Sequence, residues 1–368
     1  MKKILFGITS LTLGGAERVL VDIVNELCIK YEITIFTIYA KGELEKQLLP
    51  QVKVKSLYDI SYEELTKFQK IYRPLRILLL RKKIYNKYIK GKYDVEIAFL
   101  EGPVTRLLSV KNKAVRKIAW IHNDISAVFG NEIKSKLKRK LDYKIYNKYK
   151  KLVFVSKDNM EKFKKIYPNI KKEKEELIYN YINKEAILKK AEEKPEIEFP
   201  QNEMNFVTIA RLVPQKAIDR IIKIHSKLMN EGVKCNFYVI GDGPEKEKLE
   251  NQIKDENIKG TFSLLGKMEN PYPYIKMANY FCLLSKFEGY GMVLEEAKML
   301  NKPIIITDTA AREAVEGYKN SVIVENSEEG IYKGLKQILQ EKTYICNNNV
   351  ETYNNKNILE QIERILEE

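Results

Sequence analysis

The sequence predicts an α/β fold made of two doubly wound, Rossmann-like domains. Three observations carry that expectation. The 368 residues exceed one ordinary core and fit two domains of about 150–200 residues each. Short apolar runs alternate with amphipathic stretches in two series, one from Lys3 and one from Asn205, as in parallel sheets flanked by helices. Between the series, residues 182–201 are polar and carry Pro195 and Pro200, which reads as a linker. The expected boundaries are 1–183 for the first domain and 184–356 for the second. A last apolar-striped helix over 357–368 is expected to pack back on the first.

The first series opens with the continuous apolar strand Lys3–Thr9, a loop ending in Gly14-Gly15, the amphipathic helix Ala16–Leu27 and the strand Glu32–Tyr39. No G-x-G-x-x-G is present, so the dinucleotide fingerprint is excluded. Without side chains, Gly14 and Gly15 either make a tight turn or let a ligand reach the helix N-terminus. Strands follow at Tyr93–Leu100, Lys117–Ile121, Leu152–Val155 and Leu177–Tyr181. Three of them deliver polar residues at their carboxyl ends, Glu101, His122 and Ser156, where open α/β sheets hold their ligands.

The second series runs strand Asn205–Ala210, helix Ile218–Met229, strand Asn236–Ile240, loop Gly241–Pro244, helix Glu245–Ile253 and strand Thr261–Leu265. Gly266-Lys267 and a short helix at Tyr274–Met277 come next. The apolar run Ala278–Leu284 leads into Glu288-Gly289-Tyr290-Gly291 and a helix over Met292–Leu300 that stops at Asn301 and Pro303. Strands at Pro303–Asp308 and Ser321–Val324 complete the series. A strand, a glycine turn and a helix in that order aim backbone N–H groups and a helix dipole at an anion such as phosphate. Glu288 and Glu296 are eight residues apart, about 80° from eclipsed on a 3.6-residue repeat, so both can address one ligand. Arg211 and Lys216 lie just past a strand and suit a diphosphate, Arg through paired hydrogen bonds and Lys as a point charge.

Bulk composition narrows the function. At 44% hydrophobic and 31% charged the chain reads as a packed globular protein rather than an integral membrane one. Its longest apolar runs, such as Ile77–Leu80, fall far short of the ~18 residues of a span. The N-terminus resembles a signal peptide but runs straight into the Gly-Gly turn and its helix, so that reading is rejected. Cys28, Cys235, Cys282 and Cys346 are scattered, with no CxxC. Neither a zinc cage nor a disulfide framework follows, Cys28 and Cys282 read as core fillers, and a reducing, cytoplasmic compartment fits. The net charge of +15 is uneven: residues 1–200 hold 43 Lys and Arg against 25 Asp and Glu, and residues 201–368 hold 22 against 25. The first half thus suits an anionic membrane surface. Two basic stretches with interleaved Leu, Ile and Tyr, Tyr72–Lys92 and Ile133–Lys151, can lie on such a surface or pack as ordinary helices. In the first, a helix from near Pro74 puts Leu75, Leu78 and Leu79 on one side. Nucleic acid is the less favoured polyanion, because the remaining motifs describe a small-molecule site.

Glu288 and Glu296 in EGYGMVLEEA resemble the E-x7-E motif of retaining GT-B glycosyltransferases of family 4. Arg211 and Lys216 in ARLVPQK resemble that family's Arg-x4-Lys pair. GGAERVL is similar to its N-terminal Gly-Gly motif, GDGPEKEKL to a loop bordering the nucleotide, FSLLGK to a segment whose backbone reads the base, and WIHND to the place of a histidine facing the reacting sugar. The resemblance spans most of the chain and is weakest over 40–175. It implies two Rossmann-like domains facing across a cleft, and metal-independent, retaining transfer from a nucleotide-diphosphate sugar, UDP by family frequency. Arg211 and Lys216 would hold the diphosphate, Glu288 would bind sugar hydroxyls or orient the donor near the diphosphate, Glu296 would hold the ribose, and His122 the sugar. Gly14, Gly15, Gly241, Gly266, Lys267, Gly289, Tyr290, Gly291, Met292 and Val293 would line the donor, and Glu101 would either touch the acceptor or serve as a helix cap or turn residue. No D-x-D motif or cofactor is expected. The implied acceptor is a glycan or a polyprenyl-diphosphate-linked glycan at the inner face of the cell membrane, in cell-surface polysaccharide or glycoconjugate synthesis. The alternatives are a GT-B sugar phosphorylase or epimerase, and a non-catalytic membrane-surface or nucleic-acid binding protein.

Overall fold

The computed structural model describes residues 1–123, 133–341 and 355–368, with side chains at all of them except 133–137 and 355. Asp124 of WIHND, Cys346, the Asn347–Asn349 break and Asn354 lie outside the described residues. The chain divides into two compact units, Met1–Ile182 with Asn355–Glu368, and Asn183–Asn354.

The first unit runs β1 (Lys3–Ile8), α1 (Gly15–Leu27), β2 (Glu32–Tyr39), β3 (Lys53–Tyr58), α2 (Lys67–Tyr88), β4 (Val95–Ala98), α3 (Pro103–Leu108), β5 (Arg116–Ile121), α4 (Ile133–Tyr146), β6 (Lys151–Phe154), α5 (Lys157–Ile166) and β7 (Glu175–Leu177). The strands form one parallel sheet in the order β3-β2-β1-β4-β5-β6-β7. β1, β2, β4 and β5 sit at its middle, and their Ile, Leu, Phe and Trp side chains are almost wholly buried. This is why they read as unbroken apolar runs rather than alternating ones. β3 was not expected: none of its KVKSLY is buried at the sheet edge, and it lacks the apolar density that marks a buried strand.

The second unit runs α6 (Lys184–Ala191), β8 (Asn205–Ile209), α7 (Ile218–Asn230), β9 (Asn236–Ile240), α8 (Lys246–Asp255), β10 (Phe262–Gly266), α9 (Tyr272–Met277), β11 (Tyr280–Leu283), α10 (Met292–Met299), β12 (Ile304–Thr307), β13 (Ser321–Val324) and α11 (Glu328–Glu341). Its parallel sheet has the order β10-β9-β8-β11-β12-β13. The order reverses between β8 and β11, and a doubly wound sheet binds its ligand at the carboxyl ends beside such a switch point. α12 (Asn355–Glu367) returns to the first unit. It buries Ile362, Ile365 and Leu366, and Lys2 donates to Leu366 O at 2.9 Å. Arg116 and Arg364 pair with Glu368 and Glu176.

Three expectations need correction. The linker 182–201 contains α6, which Asn183 caps by accepting from Ala186 N at 2.8 Å. α6 buries Ile187 and Ala191 and packs on α9 and α10. Its short apolar side is hidden in the sequence by four flanking lysines and glutamates. The strand placed at Leu177–Tyr181 is β7, Glu175–Leu177, extended only by Ile178 N donating to Phe154 O at 2.9 Å. α2 starts at Lys67, seven residues before Pro74, because Thr66 and Gln69 form a reciprocal capping box. Pro74 is held inside it.

Three cysteines, Cys28, Cys235 and Cys282, are buried and free. No described helix is long and apolar enough to cross a membrane.

Candidate active site

The backbone of the segment after β11 is braced from several sides. Four successive carbonyls are each held by a side chain from elsewhere. Arg220 of α7 donates to Leu284 O at 2.9 Å, Thr307 of β12 to Ser285 O at 2.7 Å, Asn326 to Lys286 O at 2.7 Å, and Gln215 to Phe287 O at 3.0 Å. Gln215 O in turn accepts from Lys286 N at 2.9 Å. The loop after β8 is thereby zipped to the loop after β11. Fixed backbone is what a site for a charged ligand requires, because no reorganisation is then needed when the ligand arrives.

That zipping brings Lys216 onto Glu288. Lys216 Nζ donates to Glu288 Oε1, and Ser285 Oγ donates to the same oxygen at 2.6 Å. The Glu288 side chain is 7% exposed and that of Lys216 19%. Arg211 is exposed at the carboxyl end of β8. Val213 N donates to its carbonyl at 2.9 Å, and Leu212 N donates to Asp242 O at 3.0 Å. The ends of β9 and β10 are joined in turn where Gly241 N donates to Gly266 O at 2.8 Å. Lys267 is exposed just beyond.

The glycines separate by what demands them. Gly291 caps α10 with φ 75, and a Cβ there would lie 3.0 Å from Leu283 and 3.2 Å from Leu294. Gly266 has φ 77 at a register shift of β10, and a Cβ on Gly241 would lie 1.9 Å from Ala210 O. The backbone requires glycine at all three. At Gly289 and Gly15 nothing lies within 4 Å of a Cβ and φ is ordinary, so neither packing nor φ demands glycine there. A bare surface is what close approach of a ligand to the backbone needs. Gly14 is different: a Cβ there would lie 2.1 Å from Glu17 Oε2. The N-terminus of α1 already has its own carboxylate in its first turn, and burial pushes the Glu17 pKa up.

Beyond Gly291, Met292 and Val293 form the first turn of α10, half-buried. Glu296 is half-buried, with Tyr272 OH 3.5 Å from Oε1. The helix ends in a left-handed Asn301, φ 53. Lys302 N donates to Ala297 O and Asn301 N to Lys298 O, the paired bonds of a Schellman stop. Glu295 escaped the sequence reading. It is fully buried and accepts from Tyr290 OH at 2.6 Å. The signal for it was a tyrosine between the glycines and a glutamate doublet in an otherwise apolar turn.

In the first unit, His122 follows β5 with its ring 4.7 Å from that of Phe99. Its Nε2 is buried with no hydrogen-bond partner among the described residues. Burial pushes its pKa down to about 3, so the imidazole is neutral at ordinary pH and can donate or accept one hydrogen bond. Glu101 holds the next residue: Oε1 accepts from Asn123 N at 2.8 Å and Oε2 from Asn123 Nδ2 at 2.9 Å. Asn159 of α5 donates to Asn123 O at 2.9 Å. Burial raises the Glu101 pKa, against the lowering effect of the Asn123 bonds. Ser156 caps α5 by accepting from Asn159 N at 3.1 Å, a structural duty. The structure thus gathers Lys216, Glu288 and the glycine turn in one unit, and Glu101 and His122 in the other.

Two doubly wound parallel sheets, with charged and glycine-lined strand ends, define an α/β protein of the GT-B class. The chain matches the family described as Glycosyl transferases group 1 over residues 189–367 and Glycosyltransferase Family 4 over residues 13–186. It belongs to glycosyltransferase family 4. Among curated relatives it is 27% identical over 357 residues to the N-acetylgalactosamine-N,N'-diacetylbacillosaminyl-diphospho-undecaprenol 4-alpha-N-acetylgalactosaminyltransferase of Campylobacter jejuni, covering 93% of this chain and 91% of that protein. It is 25% identical to the Escherichia coli O-antigen biosynthesis glycosyltransferase WclY, covering 83% and 80%. Among solved structures it is similar in fold to Anabaena HepE in complex with UDP and glucose, with TM-score 0.75, 17% identity and 100% of both chains covered.

Proposed function

We propose that this glycosyltransferase moves a sugar, with retention of anomeric configuration and without a metal ion, from a UDP-sugar to a glycan or a polyprenyl-diphosphate-linked glycan at the inner face of the cell membrane. The observation that carries the donor half is the Lys216–Glu288 pair beside the bare Gly289 and the N-terminus of α10. Breaking a sugar–phosphate bond leaves negative charge on the nucleoside diphosphate and positive charge on the sugar. Lys216, Arg211 and the amides of Gly289–Met292 would take the first. Glu288 would bind sugar hydroxyls, Glu296 the ribose hydroxyls. Neutral His122 would hydrogen-bond the sugar, Glu101 would contact the acceptor, and the leaving phosphate would accept the acceptor's proton. UDP is carried over from the family and from HepE, the lipid-linked acceptor from the Campylobacter relative.

The membrane half has its own support. α2 carries eight lysines and arginines and no carboxylate in its 22 residues. Opposite its buried Ile77 it exposes Phe68, Ile71, Tyr72, Leu75 and Leu79. Leu78, expected in that stripe, is half-buried instead. An apolar stripe flanked by cations suits an anionic bilayer interface.

Two measurements test the two halves. UDP release from a panel of UDP-sugars should fall more than tenfold in Arg211→Ala and Lys216→Ala; full turnover in both would reject the phosphate assignment. Sedimentation with phosphatidylglycerol vesicles should be lost in Leu75→Ser/Leu79→Ser. Undiminished sedimentation would remove α2 as the docking face.

A further inference from the structure

Glu295 lies in α10 between Leu294 and Glu296, at 0% exposure. Its two oxygens have different partners. Oε1 accepts from Tyr290 OH at 2.6 Å, and Oε2 lies 2.8 Å from Lys298 Nζ. The same ammonium donates to Ala314 O at 2.7 Å, in the short helical turn Ala310–Val315 that follows β12. One carboxylate therefore ties the Gly-Tyr-Gly turn, α10 and the next strand-end loop together.

A buried carboxylate is expensive. The net penalty is several kcal/mol unless geometry and pairing offset it. Leu294 and Ala297 on either side are wholly buried, so an apolar residue at 295 would meet no such penalty. What the carboxylate does that an apolar residue cannot is grip a hydroxyl. Tyr290 stands between Gly289, where a Cβ would meet nothing within 4 Å, and Gly291, which sits in the left-handed region. Two glycines around one residue make a turn with many accessible conformations. Holding Tyr290 by its far end fixes the peptide groups on both sides of it before any ligand arrives, which removes an ordering cost from binding.

We propose that Glu295, steadied by Lys298, is a positioning residue for the donor: through Tyr290 it presets the amides of Gly289–Met292 for a diphosphate. Glu296, one position on, is the glutamate assigned above to the ribose hydroxyls, so the doublet would divide into a binding and a bracing glutamate. The inference rests on the donor site proposed above.

The test is UDP affinity by titration calorimetry, with the thermal midpoint of each variant measured alongside. Tyr290→Phe removes one hydroxyl and keeps the ring. It should raise the UDP dissociation constant about three- to tenfold, the worth of one ordinary intramolecular hydrogen bond, and lower the midpoint modestly, because Glu295 Oε1 stays buried without that donor. Glu295→Gln keeps an oxygen for Tyr290 and should retain most of the affinity. Glu295→Leu should lose as much as Tyr290→Phe, and the double variant no more than either, because both break one contact. Unaltered UDP affinity in Tyr290→Phe, or losses that multiply in the double variant, would overturn the positioning role. Should Glu295→Leu not fold, Tyr290→Phe/Glu295→Gln replaces it and must match Tyr290→Phe alone. Lys216→Ala separates the two readings. If it leaves UDP binding intact, or if the unchanged protein does not bind UDP, the donor site itself is wrong. If it weakens binding while Tyr290→Phe does not, only the bracing is wrong.

Discussion

The first turn after the leading strand differs in charge between the two units. In the first unit β1 leads through Gly14-Gly15 into α1, and the helix start is occupied by the chain's own Glu17. In the second unit β8 leads through Arg211 and Lys216 into α7, so two cations precede a helix whose first turn carries Asp219. The strand ends differ in the same sense. The second unit offers an ammonium paired with a carboxylate. The first offers a buried neutral imidazole and a carboxylate already engaged by Asn123. Both units are doubly wound parallel sheets. The topology therefore fixes where ligands go, while the side chains at the strand ends decide which charge is welcome. The cationic end suits a diphosphate, and the neutral one suits sugar hydroxyls.

The largest expected effect sets the two turns against each other. Lys216→Ala removes a cation and leaves Glu288 with only the Ser285 hydroxyl, and turnover should drop by one to two orders of magnitude. Glu17→Gln in the matching turn should change turnover less than threefold. A comparable loss in Glu17→Gln would show that the first turn also handles donor charge and would erase the contrast.

A second expectation concerns acid. Burial pushes His122 down to about 3 and His225 down to about 4, from an ordinary 6.5. Below that ordinary value the unfolded chain takes up protons that the folded one refuses. Stability that is complete above about pH 6.5 is therefore lost as pH falls toward 4. Replacing His122 with Gln should flatten that decline in chemical-denaturation midpoints measured from pH 7 to pH 4. An unchanged slope would mean that His122 takes up its proton as readily in the folded protein as in the unfolded one, and the contrast with the second unit would weaken.

The smallest effects divide the two glycines of the donor turn. Gly291→Ala forces a side chain into φ 75 and should cost about 1–2 kcal/mol of stability. Gly289→Ala should leave stability within about 0.5 kcal/mol yet weaken UDP binding. If both variants lose stability equally, Gly289 is a structural glycine and the bare surface has no bearing on ligand.

Much of this was legible before any coordinates. Buried parallel strands are apolar throughout, so β1, β2, β9 and β11 announce themselves. Asn301 and Pro303 mark where α10 stops. The Arg211–Lys216 and Glu288–Glu296 pairs are local spacings beside glycines, readable as motifs. β3 was missed because an edge strand need not be apolar, and α6 because a short helix with Ile187 and Ala191 inside looks like a polar linker. The beginning of α2 was misplaced because Pro74 is a strong start signal and the Thr66–Gln69 box a weak one.

The sequence by itself determined the two series of strands and helices, the glycine turn and the charges near it, because those depend on neighbours a few residues apart. Only the tertiary structure decided that Arg220, Thr307, Asn326 and Gln215 would hold four successive carbonyls, that Lys216 would meet Glu288, and that Glu295 would turn inward to Tyr290. Those contacts join residues up to 72 positions apart in the chain, and no local pattern encodes which distant donor a given carbonyl will find once the sheet brings them together.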